Sequence, residues 1–299
     1  MAIELIAPQR EQTRARYPDE SGYVERDGVR LYYEVYGAGE PTILLLPTWS
    51  LIHSRHWKMQ IPYLARHCRV VTFDGRGNGR SDRPTDALAY GEREFAADAV
   101  AVLDATATER AVIIGFSLGG QRGLLLAAEH PERIAGAVFI GPSFPGGGKP
   151  LPERTVYDFD TEYDTAEGWA KHNRHHWLRD YRDWVEFFIS KMFTEPHSTK
   201  PIEDAVGWAL ETDAEVMIAT MEARDLSPEE AQALCRRVRC PVLVIQGNQD
   251  AITSATRGTA FAEQLGGDLV LLEGSGHAPH IRDPVKVNLL IREFLESLP

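Results

Sequence analysis

Residues 111–120 read AVIIGFSLGG, a short apolar run followed at once by a serine between glycines. The run predicts a buried strand, and residues 118–129 predict a helix that stops before Pro131. Ser117 therefore stands on a strand-to-helix turn in a G-x-S-x-G pattern, where Gly115 and Gly119 leave room for close chain approach. Backbone N–H groups and the dipole at a helix start favour developing negative charge, so this setting predicts a nucleophilic serine.

Two other strand-like runs end in polar residues that suit the same chemistry. VLVIQ at residues 242–246 is followed by GNQD, which ends at Asp250, and LVLLE at residues 269–273 is followed by GSGH, which ends at His277. The carboxyl ends of parallel strands share one edge of a sheet. A serine hydroxyl needs an imidazole to take its proton, and a carboxylate fixes the imidazole tautomer. We predict Ser117 as nucleophile, His277 as general base and Asp250 as the residue that orients His277.

The rest of the chain alternates predicted strands and helices. Asp27-Gly28 favours a tight hairpin between strands at residues 23–26 and 29–36. Further strand-like runs lie at residues 42–46, 69–73, 111–115, 134–140, 242–246 and 268–273. Apolar runs of this kind, buried on both faces, are typical of parallel sheets, and a helical pattern at residues 92–107 lies between two of them. The fold class predicted is α/β, a mostly parallel β-sheet flanked by helices.

The alternation breaks between residues 142 and 226, where no strand-like run occurs. This stretch carries four of the six tryptophans, at helix-like spacing. We predict a helical cap at residues 144–226, inserted after the sixth strand between core parts at residues 1–143 and 227–299, with Trp169, Trp177 and Trp184 lining a substrate pocket. The alternative is an insertion that only packs on the core, because aromatic stripes at helical spacing are usually buried.

The charge balance excludes some classes of function. Asp and Glu number 44 against 32 Lys and Arg, a formal net charge of −12, which would repel nucleic acid. The first twenty residues turn polar after Ala7 and no apolar run reaches about 18 residues, so we expect neither a secretory signal nor a membrane span. Three cysteines without a repeated metal spacing suit reduced thiols, and we expect a cytoplasmic protein.

Metal binding has one weak candidate in the sequence. His172 and His176 lie one turn apart on a predicted helix, a spacing that can chelate a metal. No glutamate or third ligand accompanies them in an H-E-x-x-H pattern. We therefore predict neither a metal site nor a cofactor.

A second glycine-rich segment carries a resemblance to a known family. FDGRGNGRSD at residues 73–82 resembles the D-x-R-G-x-G-x-S-D segment of the α/β-hydrolase superfamily, and with the serine motif the likeness extends from Gly22 to the C-terminal helix. The chain is most similar to the branch with a serine nucleophile, which includes esterases, C–C bond hydrolases and cofactor-free haloperoxidases. The resemblance implies that this segment is a structural turn, which Asp74, Arg76 and Ser81 fix by local hydrogen bonds.

The resemblance also implies an oxyanion hole. One donor is the N–H of Leu118, next to the nucleophile; the second in this family follows a His-Gly pair after the third strand. This chain departs from that pattern, since Pro47 and Thr48 occupy the His-Gly places, and Trp49 is left to offer the backbone N–H. We expect Thr48 and Phe116 to line the substrate site.

A serine at this position indicates acyl-enzyme chemistry, since epoxide hydrolases and haloalkane dehalogenases of the family carry aspartate there. We expect a serine hydrolase that cleaves a small or medium, largely apolar carboxylic ester. C–C bond or lactone hydrolysis by the same three residues is the alternative, and a relative that binds a ligand without turnover is the third. The expected partner is a small-molecule substrate; a homodimer is left open.

Overall fold

The computed structural model describes residues 14–223 and 226–299. The start of the chain, which turns polar after Ala7, falls within residues 1–13 and lies outside that part. The strands are β1 (Glu20–Arg26), β2 (Val29–Tyr36), β3 (Thr42–Leu45), β4 (Arg69–Phe73), β5 (Ala111–Phe116), β6 (Ile134–Ile140), β7 (Val242–Gly247) and β8 (Asp268–Leu272). The helices are α1 (Ile61–Leu64), α2 (Glu92–Ala105), α3 (Gly119–Glu129), α4 (Arg174–Arg179), α5 (Tyr181–Met192), α6 (Thr199–Ala209), α7 (Ala214–Glu222), α8 (Pro228–Cys235), α9 (Ala255–Leu265), α10 (Pro279–Arg282) and α11 (Pro284–Ser297). Short 3₁₀ turns lie at Ser54–Trp57, Ala87–Tyr90, Pro152–Arg154 and Gly168–Lys171.

The eight strands form one sheet in the order β1-β2-β4-β3-β5-β6-β7-β8. β1 and β2 are antiparallel and β2 is antiparallel to β4, whereas β4, β3, β5, β6, β7 and β8 run parallel. The predicted α/β class, a mostly parallel sheet flanked by helices, is confirmed. The hairpin also forms, and Asp27 and Gly28 both have positive φ, 51° and 79°, as a type I′ turn requires.

The prediction that the apolar strands are buried on both faces holds for the central strands but not for β8 at the edge of the sheet. In β3 and the residue after it, Ile43 and Leu45 join one apolar cluster while Leu44 and Leu46 join the cluster on the opposite face. The expectation was wrong for β8, whose Leu271 is 53% exposed, because this strand has a neighbour on one side only. A strand at the edge of a sheet leaves side chains open to solvent, and β8 still pairs with β7 in parallel register through its backbone.

The segment between β6 and β7 contains helices and turns, with no strand among its described residues. Many of its buried side chains, including Trp177 and Trp184, belong to the same apolar cluster as Ile114 and Phe116 on one face of the sheet. α8 then packs against α3 through the opposite cluster. The division at residues 144 and 226 stays a prediction, and so does the role of the helices as a cap.

The glycine-rich segment at residues 73–82 folds as a compact turn after β4. Asp74 accepts hydrogen bonds from the backbone and hydroxyl of Ser54 and from the Arg80 N–H. Ser81 Oγ donates to the Asp74 carbonyl at 2.6 Å. The expectation of local bonds fails for Arg76, which reaches out to α2 and forms two hydrogen bonds with Asp98, of 2.7 and 2.6 Å. This turn therefore also fixes α2 to the edge of the sheet where β4 ends.

No helix in residues 14–223 and 226–299 is both long enough and apolar enough to cross a bilayer.

Candidate active site

The turn after β5 has the geometry that the sequence predicts. Ser117 has φ of +53°, in the left-handed region that side chains rarely adopt, and its N–H donates to the Ile140 carbonyl at 3.0 Å. A Cβ atom added at Gly115 would lie 2.3 Å from the Gly119 carbonyl oxygen, a distance at which backbone would have to move. The glycine is therefore required, and the strained turn exposes the Ser117 hydroxyl above the sheet.

The loops after β5, β7 and β8 bring Ser117, Asp250 and His277 together. His277 Nε2 lies 3.1 Å from Ser117 Oγ, and His277 Nδ1 lies 2.8 Å from Asp250 Oδ2. Both His277 and Asp250 are buried, at 2% and 6% exposure. These distances are within hydrogen-bond range, so a proton can pass from the hydroxyl to the imidazole.

Asp250 is itself held by its neighbours. Its Oδ1 accepts hydrogen bonds from the N–H groups of Ile252 and Thr253, both at 2.8 Å, and its Oδ2 accepts one from Gln246 Nε2 at 3.0 Å. Three donors on its two oxygens hold this carboxylate in one orientation. Asp250 is thus available to fix the Nδ1–H tautomer of His277, which leaves Nε2 as an acceptor toward Ser117.

Trp49 and Leu118 are the residues that the sequence analysis expects to supply two oxyanion donors through their backbone N–H groups. Both residues border the same cavity as Ser117, and no acceptor for either N–H occurs in the part of the chain that the structure describes. Arg122 donates from Nη1 to the carbonyls of Pro47 and Thr48. In a trans peptide the N–H points opposite to the C=O, so anchoring the Thr48 carbonyl directs the Trp49 N–H away from Arg122.

Arg122 and its partner Glu92 were missed by the sequence analysis. Arg122 Nε lies 2.9 Å from Glu92 Oε2, and both residues are buried. The signal in the sequence is a lone arginine within GGQRGLLLAA, a helix that is otherwise apolar. Because a charged residue on a buried face needs a partner, that arginine was a candidate for a functional pair.

A cavity of about 190 Å³ opens beside Ser117, and a smaller one of about 30 Å³ lies on its other side. Thr48 and Phe116, both predicted to line the substrate site, border the smaller cavity. The walls of the larger cavity are formed by Trp49, Tyr90, Glu92, Phe95, Ser117, Leu118, Arg122, Ser143, Arg154, His172, Phe188, Thr220, Met221, Ile252 and Thr253.

The three tryptophans predicted to line the pocket do not reach it. Trp169, Trp177 and Trp184 border neither cavity and are 9% exposed or less. Trp177 and Trp184 pack against each other at an interplanar angle of 35° with ring centroids 4.0 Å apart, and both pack behind Trp49, at 6.2 and 5.8 Å. Large aromatic rings stabilise the fold most when they are buried. These three tryptophans therefore fit the alternative that the segment packs on the core. His172 and Phe188, from the same segment, form the wall instead.

The two histidines predicted one turn apart are not on one helix. His172 ends a 3₁₀ turn, and α4 begins after it at Arg174, where the Asn173 side chain caps the new helix. His176 Nε2 pairs with Asp183 Oδ2 at 2.8 Å, whereas burial and the nearby Arg154 charge lower the pKa of His172 to about 3. Within residues 14–223 and 226–299 no group of three metal-ligating side chains occurs.

Comparison with known proteins places the chain in a family. The sequence profile described as the alpha/beta hydrolase fold matches residues 41–284. The chain belongs to the α/β-hydrolase fold family. A relative named "Putative carbamate hydrolase RutD", from Variovorax paradoxus (strain S110), is 28% identical over 274 residues, which cover 89% of this chain and 96% of that protein.

Solved structures of similar fold carry several activities in their titles. One is titled "Est816 as an N-Acyl homoserine lactone degrading enzyme" and is 26% identical to this chain, with a TM-score of 0.75. The match covers 91% of this chain and 100% of that one. Another is the esterase RhEst1 from Rhodococcus sp. ECU1013, 25% identical with a TM-score of 0.75, covering 93% of this chain and 98% of that one. Family membership therefore supports a hydrolase, while the relatives differ in the bond that they cleave.

Proposed function

We propose that this chain is a serine hydrolase that cleaves a small carboxylic ester through an acyl-enzyme. The observation that carries the proposal is the hydrogen-bonded series Ser117–His277–Asp250, with distances of 3.1 and 2.8 Å at the carboxyl edge of the sheet. Ser117 Oγ attacks the carbonyl carbon while its proton passes to His277 Nε2. Asp250 stabilises the imidazolium that forms.

The first half of the reaction ends when the tetrahedral intermediate collapses. The C–O bond to the alcohol breaks, and His277 returns its proton to the leaving oxygen. Water then attacks the acyl-enzyme, giving one proton to His277, and the acid leaves as Ser117 Oγ recovers that proton. In both halves the negative oxygen accepts hydrogen bonds from the N–H groups of Leu118 and Trp49.

The shape of the site favours a small ester over a medium one. The larger cavity, about 190 Å³, is below the roughly 300–1,000 Å³ of sites for drug-sized ligands. Trp49 and Phe188 supply apolar walls, but Glu92, Arg122 and Arg154 also border this cavity. The sequence predicts a largely apolar ester, whereas this lining suits a small ester that also carries a polar or charged group. The small cavity beside Phe116 suits a group of one or two carbon atoms.

Lactone opening is the second candidate function. It uses the same attack on an acyl carbon, with the leaving oxygen tethered to the acyl group, and a structure 26% identical to this chain is titled as a lactone-degrading enzyme. Comparing kcat/KM for butyrolactone, an acyl homoserine lactone and 4-nitrophenyl acetate would separate the two. Faster turnover of a lactone than of every open-chain ester would favour the second candidate.

The nucleophile is tested by Ser117→Ala, with Ser143→Ala as the matched control because Ser143 also borders the cavity. Hydrolysis of 4-nitrophenyl esters of graded chain length should fall by about 10⁴-fold or more in Ser117→Ala and little in Ser143→Ala. A fluorophosphonate should label the native chain and Ser143→Ala but not Ser117→Ala. Unchanged hydrolysis by Ser117→Ala would show that another nucleophile acts, and no labelling of the native chain would favour a relative without turnover.

A further inference from the structure

Arg154 places a positive charge in the wall of the larger cavity. It ends the 3₁₀ turn Pro152–Arg154, borders the same cavity as Ser117, and its guanidinium lies 4.8 Å from the ring centre of Trp169. Its Nη1 donates to the Ile252 carbonyl at 2.6 Å. No carboxylate in the described part of the chain is within ion-pair distance of it.

Among the described residues, the arginines that are fully buried each have a carboxylate partner, whereas Arg154 is half-buried and has none within ion-pair distance. Arg55 lies 3.1 Å from Glu34, Arg76 lies 2.6 Å from Asp98, and Arg122 lies 2.9 Å from Glu92. Since Glu92 is the only acidic side chain among the described walls of the larger cavity, and Arg122 neutralises it, the charge of Arg154 is not balanced there. An unbalanced cation beside the proposed nucleophile calls for an anion that the protein itself does not supply.

A second cation lies next to the first. Arg257 and Arg154 border a third cavity, of about 330 Å³. It adjoins the cavity of about 190 Å³ beside Ser117, with which it also shares His172, Met221 and Ile252. Arg257 Nε is buried with no hydrogen-bond partner in the described part of the chain. Burial and then the Arg257 charge lower the pKa of Arg154 to about 10, and burial lowers the pKa of Arg257, so both guanidiniums are partly desolvated. Both stay charged near neutral pH.

The carboxylates that act on Arg154 from a distance have other roles. Asp250 accepts hydrogen bonds from His277, Ile252 and Thr253, and Glu153 is exposed on the same 3₁₀ turn. His172, which faces Arg154, stays neutral because burial lowers its pKa to about 3. Asp250 cannot turn toward Arg154 without giving up these hydrogen bonds, and the charge of Glu153 is screened because that side chain is exposed to solvent.

We propose that the substrate carries a carboxylate, which Arg154 binds while the scissile carbonyl lies at Ser117. The inference rests on the proposed function and narrows it to half-esters or lactones that bear a second, free carboxylate. Arg154 and Ser117 border the same cavity of about 190 Å³, so the carboxylate lies only a few bonds from the scissile carbonyl. Arg257, in the adjoining cavity, attracts the same anion on its way in.

Two pairs of esters test this, each differing in one charge. Mono-4-nitrophenyl adipate and its terminal amide place the charge on the acyl side, and 4-acetoxybenzoate and 4-acetoxybenzamide place it on the alcohol side. The native enzyme should prefer the anion in at least one pair, by about 10- to 100-fold in kcat/KM, the range of a charged hydrogen bond. The pair that shows the preference tells which side of the ester occupies the larger cavity.

Arg154→Gln should lower kcat/KM for the anionic member about 10- to 100-fold more than for its neutral partner, so that the preference is abolished. Arg182→Gln is the matched control, since Arg182 is an exposed arginine on α5 that borders neither cavity. If Arg154 only fastens its turn to Ile252, Arg154→Gln will slow both members equally and the preference will persist, which overturns the inference. Absence of any preference in the native enzyme overturns it as well.

Failure of the proposed function would give a different result. If the native chain hydrolyses none of these esters, the hydrolase proposal fails, and calorimetric binding of the same four compounds to Ser117→Ala still tests the anion site. Tighter binding of an anion than of its neutral partner, lost in the Ser117→Ala, Arg154→Gln double variant, supports the inference. Equal binding within both pairs overturns it.

Discussion

Trp49 has separate tasks for its ring and its backbone. Its Nε1 donates to Thr220 Oγ1 at 2.8 Å, and the ring borders both cavities. Its N–H is the proposed second oxyanion donor, and Arg122 sets the direction of that N–H through the Thr48 carbonyl. A backbone donor needs no particular side chain, so a Pro-Thr-Trp segment can replace the His-Gly pair of the family without loss of the donor.

Substitution of Trp49 separates these tasks. Trp49→Ala keeps the N–H, so KM should change as the apolar wall is lost while kcat falls modestly. Trp49→Pro removes the donor and should lower kcat a further 10²- to 10³-fold, roughly the effect of one oxyanion donor. Steady-state kinetics measures both, with melting temperature as the check on folding. If a folded Trp49→Pro enzyme keeps the kcat of Trp49→Ala, the second donor lies at Thr48 or Ser50.

At the scale of elements, short-range sequence patterns predicted most of the sheet, but they did not predict contacts between residues that are distant in the sequence. Apolar runs and the glycines around Ser117 give β5, α3 and the turn between them, because their information is local in the chain. The Arg122–Glu92 pair joins α3 to α2, and Arg154 reaches the loop after β7 from a turn about 100 residues away in sequence. The tryptophans of α4 and α5 were misplaced because helical spacing shows that a face is apolar, not whether it meets a substrate or the core.

The requirement for glycine in the turn between β5 and α3 can be tested by adding one methyl group, in Gly115→Ala. In Gly115→Ala the new Cβ would meet the Gly119 carbonyl 2.3 Å away, so the free energy of unfolding should fall by about 1–3 kcal/mol or more. Gly207→Ala is the control, because exposed Gly207 lies inside α6 with open space around it and should gain about 0.5–1 kcal/mol. Urea denaturation compares them. Equal stability of native and Gly115→Ala would mean that the turn relaxes easily.

At the scale of the whole molecule, several buried charges of this acidic protein form ion pairs. The formal net charge is −12, yet Glu34 on β2 is only 1% exposed and meets two arginines, Arg14 at 2.7 Å and Arg55 at 3.1 Å. Tyr36 donates a further hydrogen bond to it. Pairs of this kind join the antiparallel end of the sheet to the segments before and after it, and they make stability depend on pH.

Glu34 should contribute stability that acid removes. Burial alone would raise its pKa, but Arg14, Arg55 and Tyr36 lower it to about 2 from 4.5. A carboxyl whose pKa is lower in the folded state stabilises the fold fully above its unfolded pKa. That contribution to the free energy of unfolding, here up to about 3 kcal/mol, is lost as pH falls from 4.5 toward 2.

Glu34→Gln should therefore be less stable than the native chain near neutral pH, and the difference should shrink below pH 4.5. Urea denaturation across that range measures it, with the exposed Glu25→Gln as control, which should follow the native curve. Parallel curves for the native chain and Glu34→Gln would show that Glu34 has the same proton affinity folded and unfolded, and that the arginines do no more than offset its burial.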